Sequence, residues 1–211
     1  MIKVFAIDPG SSKSGWVLMD SNGDVLQSGV ESNPDLLVRL AGLASLDCHV
    51  VIEEIVIWRK SLRTIAEVVR WSGRFEQAVT QHNPVFYINR KAVLGQLGLR
   101  ASQGDRDARG RLIEIYGPSP AIAMGDKANP GPLFRVRGKG GHMWQALALG
   151  VAHLRRRRLA ELKGEEGGSK DRRKSLCSSR RGRGRCQYQR PQTDARRGLS
   201  GATLHKRISP V

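Results

Sequence analysis

The sequence predicts an α/β fold in which a mixed sheet of five strands is flanked by helices. Three short apolar segments at the start of the chain are separated by turns, as in an antiparallel meander. Later apolar segments alternate with stretches of helical period. Strands that begin as a meander and continue as β-α-β units build one mixed sheet covered by helices. The predicted order of elements is β-β-β-α-β-α-β-α-α-α.

The first predicted strand ends in a single carboxylate. Residues 2–7 are mostly apolar, Asp8 follows, and a Pro-Gly pair stops the strand. Two further strands follow after polar turns, at residues 16–19 and 25–30. We interpret the meander as a hairpin that presents Asp8, although an Asp at a strand end also serves as a turn former.

The central predicted strand contains two glutamates. After an amphipathic helix over residues 34–46, a continuous apolar run at residues 49–58 includes Glu53 and Glu54. An ionised side chain in a strand buried on both faces is costly unless it is paired, bound to metal or at the end of the sheet. Successive strand residues point to opposite faces, so only one glutamate can share a site with Asp8. The alternative is that the strand ends before both glutamates and leaves them solvated.

The next part of the chain is predicted to be mostly helical. A helix over residues 61–81 contains Gly73, where we expect a close contact, because a glycine inside a helix costs about 1 kcal/mol relative to alanine. Trp58 and Trp71 are interpreted as core residues, and a short strand follows at residues 85–88. Further helices are predicted to end near Leu97, to span residues 105–116 and to run from His142 to about residue 163, after a long loop at residues 117–141.

The chain is strongly basic, and most of its charge lies towards the C-terminal end. Residues 1–154 carry a net charge of +4, whereas residues 155–211 carry 18 Lys and Arg against 5 Asp and Glu. A polycation favours nucleic acid because each phosphate contact releases counterions, although charge runs are often merely solvated. We predict a folded domain over residues 1–163 and a basic low-complexity tail over residues 164–211, which we expect to be disordered.

The cysteines and the hydropathy pattern favour a reducing, cytoplasmic compartment. Cys48, Cys177 and Cys186 have neither the even number of a disulfide set nor the spacing of a metal finger, which favours a reducing environment. No apolar run approaches the roughly 20 residues needed to span a bilayer, and the N-terminal run meets an acidic residue too early for a signal peptide. We therefore expect a soluble, cytoplasmic protein without a membrane partner.

Five segments together resemble a known nuclease family. They are Ala6 to Gly10 with a Gly-Trp five residues on, Val51 to Glu54, Arg70 to Gly73 within its helix, Val85 to Lys91, and the final helix from His142 to Leu154. In this order and spacing they look like a RuvC-type Holliday-junction resolvase of the ribonuclease H-like superfamily, especially its phage-borne members. The resemblance covers roughly residues 1–155. It implies a ribonuclease H-like fold and a homodimer that uses Mg²⁺ or Mn²⁺ to hydrolyse phosphodiester bonds in four-way DNA junctions.

The resemblance also implies roles for particular residues. Asp8, Glu53 and His142 match the metal-binding and catalytic positions of the family, and Glu54 would face away from the site. At a helix N-terminus the positive end of the helix dipole disfavours an imidazolium, so we expect His142 to stay neutral enough to bind metal or take a proton.

One position departs from the family pattern. Bacterial members carry a second acidic residue three positions after the Asp or His, and here that residue is Gln145. Either the site would then consist of only Asp8, Glu53 and His142, or activity would be weak or lost. Asp105 and Asp107 are candidate substitutes, but acidic residues equally suit the start of a helix, and we favour that role for them.

Contacts to DNA are expected from basic residues in the segments that approach the junction backbone in resolvases, and from the long loop. Such contacts position the substrate without reading its sequence. The predicted residues are Arg90, Lys91, Arg100, Arg106, Arg109 and Lys127.

Two other functions remain open at the level of sequence. A protein of the same fold that has lost catalysis and only binds branched DNA would explain Gln145. An actin-like ATPase would use Asp8 to Gly10 and the Ser-rich turn on phosphate. That class needs a second phosphate-binding hairpin and a full second domain, and we find neither in the 211 residues.

Overall fold

The structure is a computed structural model that describes residues 2–45, 47–56, 62–136 and 141–174. The strands in these residues are β1 (Lys3–Asp8), β2 (Lys13–Met19), β3 (Val25–Ser32), β4 (Cys48–Glu54) and β5 (Val85–Asn89). The α-helices are α1 (Asn33–Ala41), α2 (Leu62–Val79), α3 (Arg90–Gln96), α4 (Asp105–Tyr116), α5 (Pro120–Met124) and α6 (Gly141–Lys174). Short 3₁₀ turns lie at Gly42–Ser45 and Phe134–Val136.

The strands form one mixed sheet in the order β3-β2-β1-β4-β5. β2 pairs antiparallel with both β1 and β3, whereas β4 pairs parallel with both β1 and β5. The predicted α/β class with a mixed five-stranded sheet is therefore confirmed. Because β1 and β4 are parallel neighbours, their C-terminal ends meet at one edge of the sheet. Asp8 and Glu53 both lie at this edge.

Helices cover both faces of the sheet. Val4 and Ala6 of β1 belong to a core formed with α3, α4 and α6. Phe5 and Ile7, which alternate with them, belong to a second core formed with α1 and α2. Burial on both faces explains why the central strands are continuous apolar runs rather than alternating ones.

Helix α6 packs closely on the sheet because small residues line its contact face. A Cβ at Gly150 would lie 2.5 Å from Sδ of Met19 and 3.4 Å from Cβ of Ala6. Ala146 and Ala148, in the preceding turn, are fully buried. This close packing fixes the N-terminal end of α6 over the sheet edge at which β1 ends.

Two predictions about the helices were wrong. Apart from its chain neighbours and the backbone of its own helix, no atom in the described residues lies within 4 Å of the point where a Cβ of Gly73 would stand. Among these residues Gly73 therefore has no close contact with another element. The predicted loop at residues 117–141 contains helix α5. Its N-cap is Ser119, whose Oγ accepts a hydrogen bond from the backbone N–H of Ile122 at 3.4 Å, and Pro120 occupies its first turn.

Helix α6 continues to Lys174, beyond the predicted end near residue 163. Strong helix formers fill residues 155–163, and no proline occurs between Pro132 and Pro191. The contacts divide the chain into two units, Met1–Gly168 and Ser169–Val211. The predicted disorder of the tail falls, from residue 175 on, outside the described residues.

The two tryptophans predicted to lie in the core have different outcomes. Trp58 lies outside the described residues. Trp71 is partly buried and stacks on Phe75, with ring centroids 6.0 Å apart, at the border of the core that contains α1 and α2.

In the described part of the chain, no helix combines the length and the apolar character needed to cross a membrane.

Candidate active site

A cluster of ionisable side chains lies where β1 and β4 end. Asp8 is the last residue of β1 and is 7% exposed. Its Oδ2 accepts a hydrogen bond from Nδ1 of His142, at the start of α6, with 2.5 Å between the two atoms. Glu53, near the end of β4, lies beside Asp8, because the preceding residues Ile7 and Ile52 pair across the two strands, and the two carboxyl groups interact. Two strands and a helix thus bring the three predicted catalytic residues together.

Burial and the neighbouring Asp8 change the charge of Glu53 near neutral pH. The pKa of Glu53 is raised to about 8 because burial disfavours its charged form, and because Asp8 shares a hydrogen bond with it and repels a second negative charge. The guanidinium of Arg90 lowers the same pKa, but by less. At pH 7 the protonated form of Glu53 is therefore favoured.

The pKa of His142 shifts in the direction opposite to the one expected from the helix dipole. The hydrogen bond to Asp8 raises the pKa of His142, and the partial burial of the ring, which acts in the opposite direction, is the smaller effect. A carboxylate in direct contact favours the imidazolium more than the positive end of the helix dipole disfavours it. Half of the side chain is exposed, so the ring is accessible from solvent.

Two glycines shape the hairpin at the cluster: Gly15 leaves space for His142, and Gly10 leaves space within the turn. Gly15 pairs with Asp8 across β1 and β2, and a Cβ at Gly15 would collide with the backbone of His142. At Gly10, a Cβ would collide with the carbonyl oxygen of Lys13 inside the turn that follows Asp8. The glycines of the Asp-x-Gly and Gly-Trp motifs are therefore steric requirements of this cluster.

A buried polar network, which the sequence analysis missed, fixes the turn after Asp8. The hydroxyl of Ser14 accepts a hydrogen bond from the backbone N–H of Gly10 at 3.1 Å and donates to Oδ1 of Asn33 at 2.7 Å. The Nδ2 of Asn33 donates back to the carbonyl oxygen of Gly10 at 3.0 Å. Ser14 and Asn33 are fully buried. The sequence carried no clear signal for it, because Ser14 falls in the polar turn before the second predicted strand and Asn33 directly precedes the helix predicted over residues 34–46.

Arg90 lies beside the cluster and is held by two side chains. Its Nη1 donates a hydrogen bond to Oε1 of Gln145, and its Nη2 forms an ion pair with Asp105. Gln145 follows His142 by nearly one turn of α6, so both face the same side of the helix. Asp107 accepts a hydrogen bond from the backbone N–H of Gly104 at 2.9 Å, in the capping role that we favoured.

Glu54 lies away from the cluster. It is exposed, and its Oε2 accepts a hydrogen bond from Nδ2 of Asn89 at 3.3 Å, across the pairing of β4 with β5. Strand alternation predicted that one glutamate would face Asp8, and the structure places Glu53 in that position.

The remaining residues predicted to contact DNA lie on the surface. The guanidinium of Arg109 stands 4.6 Å from the centre of the Trp144 ring, which belongs to α6 two residues after His142. This contact attaches α4 to the N-terminal part of α6. The exposed side chains of this group are Lys91, Arg100, Arg106, Arg109 and Lys127.

The cluster fits a divalent cation through its carboxylates rather than through three ligands. Within the described residues, no group of three or more His, Cys, Asp or Glu side chains is arranged to hold a metal ion. Mg²⁺ commonly binds through one or two carboxylates and retains water on its other positions. A cation at Asp8 and Glu53 would also relieve the repulsion that helps to raise the pKa of Glu53. In this arrangement His142 uses Nδ1 to bind Asp8.

Among known proteins, the chain resembles solved structures in its fold but matches none of the compared families or curated proteins in its sequence. No family model and no curated protein matches the sequence. The RuvC structure of Thermus thermophilus matches with a TM-score of 0.54 and 18% identity, over 75% of this chain and 96% of that chain. T. thermophilus RuvC in complex with a Holliday junction substrate matches with a TM-score of 0.53 and 17% identity, with the same coverage. At this level of identity the likeness shows the fold, which is ribonuclease H-like.

Proposed function

We propose that this protein is a metal-dependent endonuclease that cuts branched DNA and resolves four-way junctions. The observation that carries the proposal is the position of Asp8 at the sheet edge, bonded to His142 and beside Glu53 of the neighbouring parallel strand. A fold by itself hosts many functions, so the RuvC-like architecture would not suffice. The cluster adds the acidic and proton-transferring groups that hydrolysis of a phosphodiester requires.

The residues of the cluster divide the chemistry between them. Asp8 and Glu53 would hold Mg²⁺ or Mn²⁺, which supplies Lewis acidity at the phosphate and makes water more acidic. Asp8 also holds Nδ1 of His142, which orients the ring and leaves Nε2 as the atom for proton transfer. Because the pKa of His142 is raised, its protonated form can donate to the leaving oxygen.

The proposed partner is DNA bound through its backbone. The exposed basic residues of α3, α4 and the following loop can contact phosphates, and one RuvC neighbour is in complex with a Holliday junction substrate. Resolution requires a cut in each of two strands. A homodimer, with two copies of the cluster related by symmetry, would meet that requirement.

A second candidate function is that of a branched-DNA-binding protein with little or no catalysis. Gln145 favours it, because a neutral amide bound to Arg90 stands one helical turn after His142, where an acidic ligand would add charge. The two candidates share a fold and a partner. They differ in cleavage alone.

Cleavage of a synthetic four-way junction, compared with a plain duplex in Mg²⁺ or Mn²⁺, tests the proposal. We expect paired nicks near the crossover with wild type, and no nicks with Asp8→Asn or Glu53→Gln at unchanged junction binding. Glu54→Gln is the matched control, because Glu54 is exposed and bonded to Asn89, and it should cut as wild type does. Binding without cleavage by wild type in either metal would refute the enzyme and support the second candidate.

A further inference from the structure

We infer that Arg90 is a catalytic residue whose guanidinium binds the scissile phosphate, and that Gln145 is the positioning residue that holds it there. Gln145 is then a partner of Arg90 and not a weak metal ligand. The inference rests on the proposed nuclease function and names two further residues of the same site.

The position of Arg90 follows from the sheet. It is the first residue of α3, directly after β5, and β5 runs parallel to β4 with Asn89 opposite Glu54. Its side chain therefore begins at the same edge of the sheet as the carboxylate cluster. Its guanidinium is bonded to Gln145, which stands nearly one turn after His142 on α6, so the guanidinium lies beside the cluster.

The contacts of Arg90 leave it able to bind an anion. A guanidinium has five N–H donors, and two of them are used on Gln145 and Asp105. Asp105 is 73% exposed, so water screens its ion pair with Arg90 and weakens it. The side chain of Arg90 is 29% exposed. A phosphate can therefore reach the remaining donors, and arginine commonly binds phosphate in a bidentate manner, through two parallel hydrogen bonds.

The neutral charge of Gln145 explains why it suits this role. An acidic side chain at this position would form a tight ion pair with Arg90 and cancel the charge that a phosphate needs. The amide oxygen of Gln145 fixes the guanidinium without cancelling it. The same contact occupies Oε1, and the neighbouring positive charge would repel a cation there. The cation then belongs at Asp8 and Glu53, and Arg90 supplies the second positive charge, which stabilises the negative charge that develops on the phosphate.

The first test separates positioning from metal binding through Mn²⁺ affinity, measured by calorimetry on the full chain without DNA. Loss of a ligand, or even of a group bonded to a ligand, typically weakens metal binding roughly 10- to 100-fold. We expect Gln145→Ala to bind Mn²⁺ within about twofold of wild type, and Asp8→Asn to bind it at least about tenfold more weakly. A loss of about tenfold or more in Gln145→Ala would make Gln145 a metal ligand and overturn the inference.

The second test measures the cleavage rate at saturating junction and metal. Removal of a group that stabilises developing charge costs about 10²- to 10³-fold in rate, and we expect that loss for Arg90→Ala. Arg90→Lys, which keeps the charge, should recover part of it. Gln145→Glu should cut at least about tenfold more slowly than wild type, because the new carboxylate neutralises Arg90. A faster Gln145→Glu would show that the site lacks an acidic ligand, which contradicts the inference.

Matched controls and folding checks keep the outcome decisive. Arg63→Ala removes an arginine whose side chain is 93% exposed on α2, and Gln77→Ala removes an exposed glutamine of the same helix. Both should cut as wild type does. Each variant is compared with wild type in thermal unfolding, and if Arg90→Ala fails to fold, Arg90→Lys and Gln145→Glu decide. Wild type that binds junctions without cutting them refutes the nuclease proposal, whereas equal cleavage by wild type and Arg90→Ala refutes only this inference.

Discussion

Gly15 shows how far the cluster depends on a residue that has no side chain. The backbone of α6 at His142 occupies the space that a side chain at position 15 would need. The ionisable groups of the site can meet only because this strand residue is a glycine. Its place in the Gly-Trp pair was visible in the sequence, but the helix that approaches it was not.

Gly15→Ala is expected to damage both stability and activity. The added methyl group meets backbone atoms, which cannot rotate away, so the N-terminal end of α6 must move from the sheet edge. Overpacking of this kind costs about 1–3 kcal/mol, and we expect that loss in the free energy of unfolding, measured in urea. Junction cleavage should fall with it. An unchanged free energy of unfolding together with full cleavage would contradict the packing of α6 on Gly15.

A pair of histidines lies at the opposite end of β4 from the cluster. Nδ1 of His49 stands 3.0 Å from Nε2 of His153 on α6. The pKa of His153 is lowered to about 4, first by burial and then by the positive charges of His49, Arg156 and Arg157. The pKa of His49 is also lowered, mainly by burial. Protonation of either ring therefore opposes folding.

This pair is expected to contribute a loss of stability in mild acid, opposite in sign to the contribution of Glu53, whose pKa is raised. Below the ordinary histidine pKa of about 6.5, the unfolded chain binds protons that the folded chain does not. The contribution of the pair to stability should be complete above that pH and fall between about pH 6.5 and about pH 4, by on the order of 2 kcal/mol for His153. Urea unfolding at a series of pH values measures it. His153→Gln should flatten the curve in this range, and His82→Gln, at an exposed histidine, should not. Equal slopes in wild type and His153→Gln would count against the pair.

At the scale of the elements, the site is a product of neighbouring strand ends and one helix start. β1 and β4 are parallel, so each delivers a carboxylate to the same edge, and α6 begins above them. β5 extends this edge by one strand and delivers Arg90 through α3. Helix α2 lies in the core on the other face of the sheet, and changes on its surface should affect stability without affecting chemistry.

Gly73→Ala, on α2, is expected to stabilise the protein. A Cβ at this position meets open space among the described residues, so it causes no clash. Alanine in a helix interior is better than glycine by roughly 0.5–1 kcal/mol, because the unfolded glycine has more backbone freedom to lose. The midpoint of urea unfolding should rise, with junction cleavage unchanged. A lower midpoint would indicate a contact at Gly73 from a part of the chain outside the described residues.

At the scale of the whole molecule, charge is distributed unevenly along the chain. Residues 175–211 contain nine Lys and Arg against one Asp. Such a segment attracts any nucleic acid through its backbone phosphates, independently of shape or sequence. In the proposed function it should add affinity for DNA of every form, without preference for a branch point.

Removal of residues 175–211 should therefore reduce affinity for plain duplex DNA more than it changes the positions of junction cleavage. Each lost phosphate contact lowers the slope of log affinity against log salt by about 0.9, so the slope between about 50 and 200 mM salt should become shallower. Binding titrations at several salt concentrations measure it. An unchanged slope would show that this segment makes no contact with the DNA backbone.

The sequence by itself determined the class of the fold and most of its elements. The mixed sheet and the long helices were predictable because turn residues and apolar periods act over a few neighbouring residues. Helix α5 was missed because five residues are too short to show a period, and its cap at Ser119 was the one available signal. Asp8, Glu53 and His142 could be singled out because each interrupts or begins an otherwise apolar element.

Only the tertiary structure decided how these groups meet. Asp8 and His142 are 134 positions apart, and Arg90 and Gln145 are 55 apart, so no local pattern could show that they are bonded. The register of β4 against β1 turns Glu53 towards Asp8 and leaves Glu54 exposed. The charge state of His142 likewise depends on a contact across the fold. Contacts between distant residues depend on strand register and helix packing, and these exist only once the whole core has formed.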